Sequence, residues 1–250
     1  MDLCRNCLAS IPESQIYCSL ECWQEARSSE VKELGKTEAP MSKLLVWSSI
    51  IGMFFSLFFL LVVVSFFVEE FQSYLITSTL VLAIFVFFVL KYFYEENQFS
   101  DLFRMPKGTW RLIGIALLVD IFVVKPLHIV FTTQFFPEAQ EQEVITALEE
   151  MSQSSAIITA FSVSILTPIL EELLFRGFIL GLLLRCYNDK VAIVISAILF
   201  AIVHEPVAIG MAFGGGLIYG WLRVKTGSII PSTIAHMVWN SFISILILFY

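Results

Sequence analysis

Two adjacent glutamates and an arginine stand in an otherwise apolar stretch, PILEELLFRGFILG, at residues 168–181. Glu172 and Arg176 are four apart, so on a helix they share a face and can pair. That pairing would hold Glu172 ionised and leave Glu171 free to titrate in a poorly solvated cavity. Neighbouring carboxylates pushed apart in this way are what acid–base chemistry needs. Two of the three histidines, His204 and His236, fall in further apolar stretches, FAIVH and HMVWN. His236 and Asn240 are again four apart and share a helical face.

The elements that must carry these groups are membrane helices. The 250 residues are 58% hydrophobic with 24 Phe, and the apolar residues run in long blocks rather than alternating. A span of roughly 20 apolar residues crosses a hydrocarbon core of about 30 Å. Spans are expected at about 44–68, 74–94, 112–136, 156–184, 191–204, 207–224 and 228–250, all helical because an open sheet cannot satisfy its backbone in lipid. The fifth is short, and "HEP" leaves it and the sixth little room to turn. The expectation is an all-α polytopic membrane protein with a small module at 1–40 and a membrane domain at 41–250. At about 1.5 Å per residue, Glu171 lies roughly 20 Å from the inner end of its helix, with both histidines near mid-depth. Polar groups there face a bundle interior and are functional by default.

Charge sets the orientation. Of 15 Lys and Arg, 13 fall in the N-terminal tail and after spans two, four and six. The segment 137–153 carries Glu138, Glu141, Glu143, Glu149 and Glu150 instead. The N-terminus is therefore expected inside and the C-terminus outside, in the plasma membrane of a bacterium. A net charge of −7 with no basic stripe argues against a nucleic-acid partner. The polar first 40 residues do not resemble a signal peptide. The two remaining basic residues, Lys125 and Arg176, lie inside spans. Lys125, with Asp120 and His128 nearby and Pro126 kinking the helix, forms either a mutually neutralising polar patch or part of the active cavity.

Cys4, Cys7, Cys18 and Cys22 form C-x2-C-x10-C-x3-C, two short-spaced thiolate pairs suited to a tetrahedral zinc. So short a segment cannot bury a core, and metal would supply its folding energy. Two disulfides are the other reading, disfavoured in a reducing cytoplasm. The stretch resembles small bacterial zinc-ribbon modules, implying a structural role or docking of a partner protein. Cys186 reads as an ordinary helix cysteine and Glu205 as a loop carboxylate. Gly210, Gly214, Gly216 and Gly220 read as close helix packing, and Gly215 as loosening that helix.

The motifs EExxxR, FxxxH and HxxxN, in that order over about 155–245, resemble the CPBP family of intramembrane proteases. That family takes in type II CAAX prenyl endopeptidases and bacteriocin-processing or self-immunity proteins. The resemblance implies Glu171 as the general base on a water, helped by His204, with Glu172 and Arg176 as its orienting pair. His236 and Asn240 would complete the site as metal ligand and neighbour, or as donors to an oxyanion. Glu171, His204 and His236 could also hold a catalytic zinc that keeps a position open for water. The implied function is hydrolysis of a peptide bond in a membrane-associated or lipidated protein or peptide. Alternatives are a non-proteolytic scaffold or immunity factor and, without any visible internal repeat, a proton-coupled transporter.

Overall fold

The computed structural model describes residues 2–3, 10–11, 22, 42–68, 71–136 and 152–249. Cys4, Cys7 and Cys18 lie outside the described residues, as does most of the acidic segment after the third span; Cys22 is described and buried. Two short strands, β1 (Asp2–Leu3) and β2 (Ser10–Ile11), pair antiparallel with Asp2 opposite Ile11. They join the chain on either side of the first cysteine pair.

The other elements among the described residues are helices: α1 (Lys43–Ser65), α2 (Phe71–Phe93), α3 (Glu96–Leu102), α4 (Thr109–Phe135), α5 (Gln153–Leu183), α6 (Asp189–Ile202), α7 (Ile209–Thr226) and α8 (Ile230–Phe249). Among the described residues, five are long and apolar enough to cross a membrane: α1, α2, α4, α5, and α7 with its lead-in turn Pro206–Ala208. The chain is an integral membrane protein. Helix α8 has 20 residues, but α6 has only 14, about 21 Å of rise, and falls well short of a hydrocarbon core. The sequence did not signal α3, which lies in the second basic connection. Its last carbonyl, Leu102 O, accepts from Ser228 Oγ at 2.8 Å and Ile229 N at 2.8 Å, fixing the entry to α8.

Burial is inverted relative to a water-soluble fold. Phe55, Phe58, Phe59, Phe88 and Phe122 face outward, as lipid-facing side chains do, while Asp120, Glu172, Arg176, Ser232 and His236 are buried. Helix α5 runs through the centre. Its Phe175, Phe178, Ile179 and Leu183 share one cluster with Val46, Ile50 and Met53 of α1 and Val86 and Leu90 of α2.

Helix α7 is seated by two glycine pairs facing different neighbours. A Cβ on Gly216 would stand 3.0 Å from Ala197 and one on Gly220 3.1 Å from Ile193, both on α6. A Cβ on Gly210 would stand 3.0 Å from Phe131, and one on Gly214 would collide with Val124, both on α4. Small residues thus let α7 approach both helices closely.

Three stretches wind as wider i→i+5 π-turns: Asp120–Val124 in α4, and Ser162–Leu166 and Glu172–Ile179 in α5. The first two end just ahead of Pro126 and Pro168. A proline ring clashes with the carbonyl four residues back, which falls inside each wide turn.

Candidate active site

The π-turns matter because they set which side chains point inward. In an α-helix, residues five apart diverge; an i→i+5 turn brings them together. Asp120 and Lys125 are five apart across the first, and both border one cavity between α4, α5, α6, α7 and α8, of about 260 Å³. Glu171, His204, His236 and Asn240 border the same cavity, with Phe200, Tyr219 and Trp239.

Glu171 is the reachable carboxylate, its side chain 20% exposed. Its Oε1 lies 3.9 Å from His204 Nε2 and its Oε2 lies 3.5 Å from His236 Nε2. Both rings are oriented from behind. His204 Nδ1 lies 2.6 Å from Phe200 O, a pure acceptor, so Nδ1 carries a hydrogen and Nε2 is turned to the cavity. His236 Nδ1 lies 3.2 Å from Glu172 Oε1 and is oriented in the same way. Two imidazole Nε2 atoms and a carboxylate therefore converge on one point of the cavity.

Glu172 and Arg176 stand behind this cluster, with 0% and 1% of their side chains exposed. Arg176 Nη1 is 3.1 Å from Glu172 Oε1, and Nη2 donates to Gly216 O at 3.5 Å. The guanidinium is covered by Phe200, 4.3 Å away, and Tyr219, 5.3 Å away. Tyr219 also stacks on His236, with ring centroids 4.7 Å apart and planes 21° apart. Asn240 Nδ2 donates to Val163 O at 3.0 Å, in the π-turn Ser162–Leu166, and ties α8 to α5.

Lys125 packs its Nζ 3.4 Å from the centre of the Trp239 ring and 3.8 Å from Asp120 Oδ2. Both readings of this patch hold together: the charges offset each other and the pair borders the cavity. His128 points elsewhere, toward Gly210. Glu205 sits in the α6–α7 connection, its carbonyl accepting from Ala208 N at 2.8 Å. Cys186, beyond the inner end of α5, is half-buried, and that burial pushes its thiol up despite Lys43 nearby.

Reading the sequence missed Tyr219 and Trp239. Trp239 neighbours Asn240, but Tyr219 lies among glycines with no motif to mark it. Among the described residues, no three His, Cys, Asp or Glu side chains are gathered tightly enough to hold an ion as they stand. The Glu171, His204 and His236 donors nonetheless suit one in kind, since ligating histidines usually tie their far nitrogen to a carboxylate or carbonyl.

The profile of the type II CAAX prenyl endopeptidase Rce1-like family matches residues 153–242. The chain is 29% identical over 143 residues to the membrane-embedded CAAX protease MroQ of Staphylococcus aureus (strain USA300), covering 54% of this chain but only 56% of MroQ. It is 30% identical over 173 residues to the UPF0177 protein YxdF of Lactococcus lactis subsp. lactis (strain IL1403), covering 66% of this chain and 90% of YxdF. No solved structure matches the chain.

Proposed function

Because the chain belongs to the CPBP family, that of the CAAX proteases and bacteriocin-processing membrane proteins, we propose that it is an intramembrane endopeptidase. Its substrate would be a membrane-associated or lipidated protein or peptide. The observation that carries this reading is the convergence of Glu171 with the Nε2 atoms of His204 and His236 in one cavity of a membrane bundle.

A water in that cavity gives a proton to Glu171 as its oxygen attacks the scissile carbonyl carbon. The proton then passes to the leaving nitrogen as the C–N bond breaks, with the histidine Nε2 atoms as stations on the way. Glu172 beside Nδ1 steadies His236 when that ring becomes positive, and Arg176 holds Glu172 in place. Low dielectric around the site strengthens each of these interactions. A zinc held by Glu171, His204 and His236 would supply Lewis-acid polarisation of the water and the carbonyl. At the other end of the chain, Cys4, Cys7, Cys18 and Cys22 would hold a structural zinc, in a module whose role is structural or the docking of a protein partner.

The test compares new peptide termini in membranes of cells expressing the wild type or Glu171→Gln, which keeps the shape and removes the base. Termini present only with the wild type are the expected result. Identical profiles at equal expression would return the weight to a scaffold or immunity role.

A further inference from the structure

We propose that the catalytic cavity opens to the face of the membrane opposite the basic connections, the outer face. The substrate segment is then part of an exported or outward-facing chain rather than a cytoplasmic tail. The claim about substrate rests on the protease reading; the claim about the opening does not.

The basic residues fix one end of the bundle. Arg104, Lys107 and Arg111 lead into α4, Arg185 and Lys190 join α5 to α6, and Arg223 and Lys225 end α7. By the charge rule this end is inside. The cavity wall avoids it. On α6 the lining residue is Phe200, near the far end, followed by His204 in the connection. On α7 the lining begins at Met211 and stops at Tyr219, short of the inner turn at Arg223–Thr226. On α5 it runs through Val163, Thr167 and Glu171 and stops before Arg176.

The inner side is sealed. Arg176 and Glu172 are almost wholly out of contact with solvent, and Tyr219 covers the guanidinium. Exposure rises in the opposite direction, to 20% for the Glu171 side chain and 27% for that of His204.

Helix α6 supplies the way in. It starts at the basic end and rises about 21 Å, so the connection His204–Glu205–Pro206 sits roughly 9 Å below the far surface of a 30 Å core. A non-helical connection at that depth is either buried in protein or lines water; the His204 side chain is 27% exposed and borders the cavity, which points to water. Beyond Asn240, Ser164 Oγ and Ser244 Oγ lie 2.7 Å apart and zip α5 to α8. The mouth is therefore over the α6–α7 connection, with Glu205 at its rim.

Single cysteines test this in the full-length chain. Glu205→Cys marks the rim, Met211→Cys the wall, and Lys190→Cys the basic end as control. Intact bacterial cells are treated with a membrane-impermeant maleimide, labelling is read peptide by peptide, and the denatured protein sets full labelling. The expected result is full labelling of Glu205→Cys and Met211→Cys in intact cells with none at Lys190→Cys, and the reverse order in inverted vesicles. Labelling of Met211→Cys only from the side that labels Lys190→Cys would overturn the proposal. So would protection of Met211→Cys from both sides while Glu205→Cys labels. Failure of the protease reading would show separately, as unchanged termini with this labelling pattern intact.

Discussion

The carboxylate of Glu172 and the imidazole of His236 meet at 3.2 Å, Oε1 to Nδ1, with 0% and 7% of their side chains exposed. The same oxygen lies 3.1 Å from Arg176 Nη1. Glu172 is thus committed twice, to a cation and to a ring, whereas its neighbour Glu171 keeps both oxygens toward the cavity.

From this division, Glu171→Gln is expected to abolish cleavage and leave the melting temperature in detergent nearly unchanged. Glu172→Gln instead strands a buried guanidinium, a change that costs about 3–5 kcal/mol where one partner of a buried pair is removed. Melting curves of the two variants separate the roles: equal destabilisation by both would contradict them.

Tyr219 holds His236 by stacking and covers Arg176. Tyr219→Phe keeps the ring and is expected to retain activity. Tyr219→Leu removes a contact of the kind that contributes about 0.5–1.5 kcal/mol, and turnover is expected to fall by up to roughly tenfold. Turnover of a cleaved reporter peptide decides it, and a Leu variant as active as wild type would remove Tyr219 from the site's support.

Gly214 and Gly216 of α7 are expected to tolerate no side chain. Gly216→Val drives atoms into the Ala197 backbone, and overpacking of this kind costs about 1–3 kcal/mol. Gly52 on α1 has open space around it, so Gly52→Ala gains up to about 1 kcal/mol of helix propensity. Opposite shifts in melting temperature are the expected pair of results.

Metal content distinguishes the two ways of activating water. Zinc measured in purified protein is expected to fall when Cys4 and Cys7 are both replaced by Ser. If Glu171→Gln and His204→Ala also lower it, an ion sits in the membrane site. If they leave the content unchanged while abolishing cleavage, Glu171 acts on water without one.

Much of the site was legible because helical spacing is a strong constraint. Glu172 with Arg176, and His236 with Asn240, are each four apart, and their joint placement followed from period and depth alone. The shortness of α6 was legible too, as a 14-residue interval between a basic turn and a proline. Tyr219 was not, because its partners come from α5 and α8, far away in sequence. Nor was the joint entry of Asp120 and Lys125 into the cavity, since five-residue spacing shares a face only where the turn is widened. Pro126 hinted at irregularity; no residue type announced the third wide turn, at Glu172–Ile179.

Those wide turns give the chain a place to lose a residue without losing its register. Each holds one residue more than the α-turn that could replace it, so deleting a single residue there would regularise the helix and leave the stretches on either side facing as before. The same deletion in an α-helical part of a span would swing everything beyond the cut by about 100°. Loss of one codon, usually tolerated only in loops, would here yield a well-inserted protein whose spans keep their packing faces.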